Sequence, residues 1–124
     1  MFTLLDFVMI KGNFDVKKSF SNDGEYIVDM NSNLSVPEDN SNKIYFDYSG
    51  AFKKNNETVV SINLSYLFFI DTDEKFSSSE DKKNKYGDFL KPYLESRLFE
   101  DVNLILSKIK YPPIPMHSFS ESNM

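Results

Sequence analysis

The clearest hydrophobic pattern lies at residues 58–70, which read TVVSINLSYLFFI. Every second side chain from Val60 to Ile70 is apolar, and successive side chains of a strand point to opposite faces. The other face begins with serine and asparagine and becomes apolar at Leu67 and Phe69. The pattern predicts a long strand with one buried face and a second face that is apolar near its C-terminal end.

Three earlier segments alternate in a similar way. We predict strands at about residues 3–17, 25–36, 43–53 and 57–70, separated by polar segments typical of turns. Short connections favour pairing between strands that are neighbours in sequence. The four segments therefore predict an antiparallel meander with one dry face.

The C-terminal part of the chain carries a helical pattern. Apolar residues recur there at steps of three and four, at Leu90, Leu94, Leu98, Val102, Ile105 and Ile109. We predict a helix over 88–110, capped by Asp88 with Pro92 in its first turn, preceded by a polar loop over 71–87. A proline-rich, extended tail over 111–124 follows. The predicted fold class is α+β, a four-stranded antiparallel meander sheet packed by one long C-terminal helix.

Size and charge narrow the function. A chain of 124 residues predicts a single domain, residues 1–124. The net charge of −5 argues against nucleic acid, because phosphate contacts require clustered lysine and arginine. No apolar run approaches the length of about 20 residues that spans a bilayer, so we expect no membrane insertion. No targeting signal is recognisable, and the cytoplasm is the expected location.

The sequence offers little catalytic chemistry. His117 is the only histidine, and no activated nucleophile or acid partner stands at a suitable spacing. The chain has no cysteine, and Asp71, Asp73 and Glu74 lack the glycine and terminal glutamate of a calcium loop. We therefore expect no enzyme, no catalytic residue, no bound metal and no cofactor.

The apolar residues of the helix have two interpretations. Packing onto the sheet accounts for most of them. One helix covers only part of a four-stranded sheet, however, and surplus apolar surface commonly marks an interface. We therefore expect the chain to form a homo-oligomer.

Aromatic side chains at the end of the long strand and in the following loop have two interpretations as well. Phe68, Phe69, Phe76 and Tyr86 belong either to the core or to a groove that binds extended, unfolded polypeptide. Such a groove would combine apolar area with nearby strand edges able to pair with a peptide backbone. These four residues are the candidate peptide-binding site.

Several short motifs resemble those of the SecB export-chaperone superfamily. The segment 90–93 (LKPY) is similar to the opening of that family's main helix, and 111–119 (YPPIPMHSF) is similar to its proline-rich exit. The segment 11–15 (KGNFD) is similar to its first strand, and LSYLFFI is similar to the strand before its loop. The length of the helix fits better a group of SecB-like proteins of unknown function from Gram-positive bacteria.

The resemblance implies a SecB-like fold, a dimer or dimer of dimers, and a role in protein transport. It implies ATP-independent binding of non-native or extended polypeptide, as a chaperone or holdase. It also implies an acidic surface for the export motor SecA, for which Asp15 is the candidate docking acid. Gly12 replaces another acid of that strand and the 71–87 loop lacks SecB's apolar character, and both departures argue against SecA docking. The alternative is a non-enzymatic SecB-fold adaptor that binds one folded partner.

Overall fold

The computed structural model describes residues 1–37 and 42–120. Its elements in chain order are β1 (Phe2–Val16), β2 (Ile27–Ser35), β3 (Lys43–Lys54), β4 (Glu57–Thr72), α1 (Ser79–Lys108) and α2 (His117–Ser120). The four strands form one antiparallel sheet in the order β1-β4-β3-β2. The predicted α+β class is confirmed, and each strand lies within about two residues of its predicted bounds.

The sheet differs from a simple meander in the position of β1. Only β2, β3 and β4 follow one another as neighbours, whereas β1 pairs with β4 at the edge of the sheet. The connection between β1 and β2 therefore passes from one edge of the sheet to the other. Its aromatic residues Phe20 and Tyr26 contact Tyr111 at ring-centroid distances of 5.9 and 6.0 Å. This packing against the segment after α1 stabilises a crossing that hydrophobic alternation alone does not encode.

The core lies between α1 and one face of the sheet. Alternate residues of β3 and β4 are buried there, including Phe46, Tyr66 and Phe68. The helix contributes a buried face of Tyr86, Leu90, Leu94, Leu98, Val102 and Leu106. Burial at every fourth helical position and every second strand position explains why both hydrophobic patterns are visible in the sequence.

The helix begins at Ser79, nine residues before the predicted start at 88, so the predicted loop over 71–87 is wrong for its second half. Ser78 is the N-cap, and its side chain accepts a hydrogen bond of 3.0 Å from the backbone N–H of Asp81. Pro92 consequently lies inside the helix and not in its first turn, and Asp88 is not the cap. The first turns are polar because they face solvent, which hides them from hydrophobic periodicity.

The segment after α1 packs back onto the domain. The Asn103 side-chain amide donates a hydrogen bond of 2.9 Å to the carbonyl oxygen of Ile114 and accepts one of 2.8 Å from the backbone N–H of Ile114. Residues 117–120 form the short helix α2 and not the predicted extended tail, because Phe119 turns into the core and contacts Phe99. His117 is exposed. The predicted tail also includes residues 121–124, which lie outside the described residues.

The helix cap gives a test of the earlier helix start. Replacing Ser78 by alanine removes the acceptor of the Asp81 N–H, and we expect it to lower the free energy of unfolding by about 1 kcal/mol. Urea denaturation followed by circular dichroism measures the change. Ser77→Ala is the matched control, because Ser77 interacts with the Asp81 carboxylate and not with the Asp81 backbone N–H. Equal stability losses in both variants would contradict Ser78 as the cap.

Candidate functional site

The helix leaves β1 uncovered. Buried residues occur on β2, β3 and β4, whereas every residue of β1 remains at least partly accessible. Facing this strand, α1 exposes Tyr93 (42%) and Leu104 (60%). The uncovered face of β1 and this side of α1 form an apolar trough, which we call the β1–α1 groove.

The first part of the groove is a cavity of about 410 Å³, lined by Phe7, Pro92, Tyr93, Ser96, Arg97 and Glu100. Phe7 forms its floor and stacks on the buried Phe68 at 4.2 Å between ring centroids. The guanidinium of Arg97 lies over the Phe7 ring at 5.4 Å, a cation–π contact. Aromatic side chains and Pro92 thus share the lining of this cavity with Arg97 and the acid Glu100.

The second part is a cavity of about 240 Å³, lined mainly by Met9, Gly12, Phe14, Leu64, Leu104 and Ile105. A Cβ atom on Gly12 would lie 2.8 Å from Sδ of Met9 and 3.5 Å from Cδ2 of Leu64. Any larger residue would therefore displace Met9 and fill the floor of the groove. Glycine keeps this cavity open down to β4.

A polar bridge of Tyr66, Arg97 and Asp101 separates the two cavities. Oδ2 of Asp101 accepts hydrogen bonds from the Tyr66 hydroxyl at 2.6 Å and from Nε of Arg97 at 2.8 Å. Burial, and then the bond to Asp101, raises the pKa of Tyr66, and the same carboxylate raises the pKa of Arg97. Both groups therefore remain donors to Asp101 at neutral pH.

The bridge has unused hydrogen-bonding capacity. Arg97 donates through Nε alone, and Asp101 accepts through Oδ2 alone, within the part of the chain that the structure describes. Arg97 lines the first cavity and Asp101 lines the second. A guanidinium has five N–H donors and a carboxylate about four acceptor positions. The groove therefore presents free donors on one side of the bridge and a free acceptor on the other.

The outer edge of β1 is irregular. Register shifts between Leu4 and Asp6 and between Met9 and Lys11 mark bulges at Leu5 and Ile10. Both bulged residues are exposed, at 57% and 51%. Bulges disturb the spacing of backbone groups along an edge and so hinder the regular addition of another strand. Regular strand addition at this edge is therefore hindered.

The structure does not bring the four predicted peptide-binding residues onto one surface. Phe68 and Tyr86 are buried in the core. Phe76 contacts Tyr86 at 5.6 Å between centroids, at the end of the sheet where Phe2 also packs. Phe69 lies on the opposite face of the sheet, beneath Lys43. A role of these residues in peptide binding stays a prediction.

Asp15 lies on the outer face of the sheet, opposite Ser61 of β4. This face is polar over most of its area, and Asn13, Asn63, Ser49 and Asn31 form one row across all four strands in register. Asp47 accepts a bond of 2.6 Å from Ser65 in the next row. The face is thus rich in uncharged hydrogen-bonding groups, and partner docking through Asp15 stays a prediction.

Sequence reasoning missed the groove residues Arg97, Asp101 and Leu104. A signal for them exists, because Arg97 is the only arginine of the chain and stands four residues before an acid on a helix. Leu104 widens the apolar stripe beyond the width that core packing needs. The uncovered face of β1 could not be predicted, because it depends on the strand order. If β1 paired with β2, as in a simple meander, residues of other strands would lie beside this side of the helix.

The described residues contain neither a candidate metal site nor a candidate membrane-spanning helix. Residues 1–37 and 42–120 contain no cluster of three or more side chains suited to hold a metal ion. None of the helices in these same ranges is long and apolar enough to span a bilayer.

Four antiparallel strands in this order, with a long helix across one face, define the SecB-like fold. The solved structures include one with this architecture, the Mycobacterium tuberculosis Rv1957 SecB-like chaperone in complex with a ChAD peptide from the Rv1956 HigA1 antitoxin. The match has a TM-score of 0.61 and 12% sequence identity, and covers 91% of this chain and 86% of that chain. No protein-family model and no curated protein matches the sequence.

The polar bridge gives a second test. Tyr66→Phe removes one of the two donors to a partly buried carboxylate, and we expect a loss of about 1–2 kcal/mol in the free energy of unfolding. Tyr48→Phe is the control, because the Tyr48 side chain is also in the core but its hydroxyl has no hydrogen bond among the described residues. Urea denaturation compares the two variants, and an equal loss would contradict a stabilising bridge.

Proposed function

We propose that this chain binds extended or non-native polypeptide as an ATP-independent chaperone, and that it is a binding protein and not an enzyme. The observation that carries the proposal is the β1–α1 groove, an exposed apolar trough with a polar centre. Apolar surface buried on binding is worth about 25 cal/mol per Å², and this gain depends on no particular client sequence. Because burial itself drives the binding, no nucleotide is needed.

The similarity in fold to Rv1957 supports the proposal. That protein is a SecB-like chaperone and was solved with a peptide of an antitoxin. Its sequence identity to this chain is only 12%, so the match supports the fold alone. The groove of this chain is a separate argument for polypeptide binding. The apolar residues of the groove differ in shape and include the adaptable side chain of Met9, which suits clients of varied sequence.

We also infer that the chain assembles as a dimer or a dimer of dimers. The apolar residues left exposed by a single copy include Leu5, Ile10 and Leu104. Exposed apolar patches of this kind commonly mark contacts between protein chains. Self-association through the part of this surface that lies outside the groove leaves the groove open to clients.

Suppression of aggregation tests the proposed function. We expect the purified protein to prevent light scattering by thermally unfolding citrate synthase without ATP, because the groove covers newly exposed apolar segments of the client. Leu104→Ser should weaken the suppression severalfold, since it removes an apolar wall of the groove. Ile27→Ser is the matched control, because Ile27 is 71% exposed on β2, at the far edge of the sheet.

Two outcomes would contradict the proposal. Absence of suppression at an excess of the protein would favour the adaptor that binds one folded partner. Equal losses in Leu104→Ser and Ile27→Ser would show that the groove is not the surface responsible.

Sedimentation velocity tests the assembly. We expect a species of two or four chains at micromolar concentration, because a single copy exposes the apolar residues of the β1 edge. Leu5→Ser should shift the distribution toward the monomer, whereas Ile27→Ser should not. A monomer at all concentrations of the unmodified protein would contradict the inferred oligomer.

A further inference from the structure

The outer face of the sheet carries an uncharged strip along β4. The side chains that β4 points to this face are Ser61, Asn63, Ser65, Leu67 and Phe69. Directly opposite residues of paired antiparallel strands share a face, so the register identifies the neighbours of this strip on β1 and β3. A residue on a two-fold axis between two copies meets its own counterpart, and a charge there would repel itself. An uncharged strip is therefore suited to lie on such an axis.

Four charges flank the strip in an alternating pattern. The row through Phe69 has Asp6 on β1 and Lys43 on β3. The next charged row along β4 has Lys11 on β1 and Asp47 on β3, so the signs are reversed. Because adjacent strands lie about 4.8 Å apart, the intervening strand places the two charges of each row about 10 Å apart. The two rows are four residues, or about 13 Å, apart along β4.

The rows between and beyond these charges are uncharged. Val8, Leu67 and Tyr45 are in register across β1, β4 and β3, and Val8 and Tyr45 are 36% and 38% exposed. The row through Asn63 contains only amide and hydroxyl side chains. These groups donate as well as accept, so they can hydrogen-bond to the same groups of another copy. They line a cavity of about 350 Å³, which has room for ordered water at such a contact.

We propose that the outer faces of two copies of this chain stack on each other about a two-fold axis parallel to β4. In this arrangement β1 of each copy lies over β3 of the other. Opposite charges and apolar side chains then meet across the interface, as Asp6 with Lys43, Lys11 with Asp47, and Val8 with Tyr45 of the second copy.

The charge pattern selects both the occupant and its angle. The two acids lie on one diagonal of the rectangle and the two bases on the other. Orthogonal packing of the two sheets would set like charges against each other, whereas aligned packing pairs opposite charges. Aligned sheets cross at about 30°, so the strand ends near Asp71 diverge. A partner with one dominant sign of charge would meet two like charges, whereas a second copy supplies both signs at the required places.

The size of the contact predicts a reversible association. Three strands of each copy overlap, over a width of about 14 Å and, along the 12 residues of β3, a length of about 40 Å. The resulting area of roughly 550 Å² per copy is smaller than the about 800 Å² typical of a stable interface. This face lies on the opposite side of the sheet from α1, so the contact does not rest on polypeptide binding in the β1–α1 groove.

Exchange of charges tests whether two copies meet through this face. Lys11→Asp with Lys43→Asp gives an acidic-face variant, and Asp6→Lys with Asp47→Lys gives a basic-face variant. In sedimentation velocity at high micromolar concentration, each variant alone should have about half the mass of the unmodified protein, because like charges then oppose each other. An equimolar mixture should regain the full mass. The dissociation constant of each variant alone should be at least about tenfold higher than that of the mixture.

A matched variant controls for the change in net charge. Lys83→Asp with Lys110→Asp makes the same change at exposed positions of α1 and the segment after it. This control should sediment like the unmodified protein. Thermal unfolding of every variant shows whether folded chains are being compared.

Single cysteines test the position of the axis. The chain has no cysteine, so Ser65→Cys introduces one on the proposed axis, and Ser35→Cys introduces one on β2 of the same face. A short bis-maleimide should couple two Ser65→Cys chains. It should not couple two Ser35→Cys chains, because β2 lies two strands from the axis and their positions are about 20 Å apart.

Three outcomes would overturn the inference. The first is a mixture of the charge variants that is no heavier than either variant alone. The second is equal coupling of Ser65→Cys and Ser35→Cys chains. The third is loss of the gain on mixing when Leu5→Ser is also present, since the β1 edge would then be the contact. All three readouts are mass or coupling between copies, so each would leave the proposed binding of polypeptide standing.

Discussion

The width of a single helix governs this structure. A helix with its side chains is about 10–12 Å across, whereas four strands at about 4.8 Å spacing present a wider face. α1 covers the inner faces of β3 and β4 and reaches β2 through Leu34, so the edge strand β1 remains largely open. Because β1 still carries an apolar inner face, the uncovered side of the sheet becomes a trough with apolar walls.

The open strand β1 is held mainly by its pairing with the neighbouring strand β4. β1 pairs with β4 along nearly its whole length, from Phe2 opposite Thr72 to Val16 opposite Val60. Phe2 at its start also joins an aromatic cluster with Phe76, Tyr86 and Phe89. Backbone pairing and this aromatic contact keep the strand in place, which leaves its central residues available to contact another chain without loss of the fold.

Sequence patterns predicted those parts of the fold whose side chains face a single, continuous core. The alternation in β4 and the repeat of Leu90, Leu94 and Leu98 identified the sheet and most of the helix, because each pattern reflects burial directly. Hydrophobic periodicity did not predict the first turns of α1, because these turns are polar and depend on the cap at Ser78. Contacts between segments distant in sequence, such as the pairing of β1 with β4, produce no periodic pattern in the sequence.

The candidate site shows the same division between local and long-range information. Phe68, Phe69, Phe76 and Tyr86 are close in sequence, yet the pleat sends Phe68 and Phe69 to opposite faces of the sheet. The groove instead combines Phe7 and Gly12 of β1 with Arg97 and Leu104 of α1, about 90 residues apart in sequence.

The groove depends on a particular residue type at two positions, since lysine lacks the fork of Arg97 and any side chain at position 12 would fill the floor of the second cavity. An apolar trough without such a polar centre would bind any apolar surface, including that of another copy of this chain. Hydrogen-bonding groups placed between two cavities penalise partners that leave them unsatisfied.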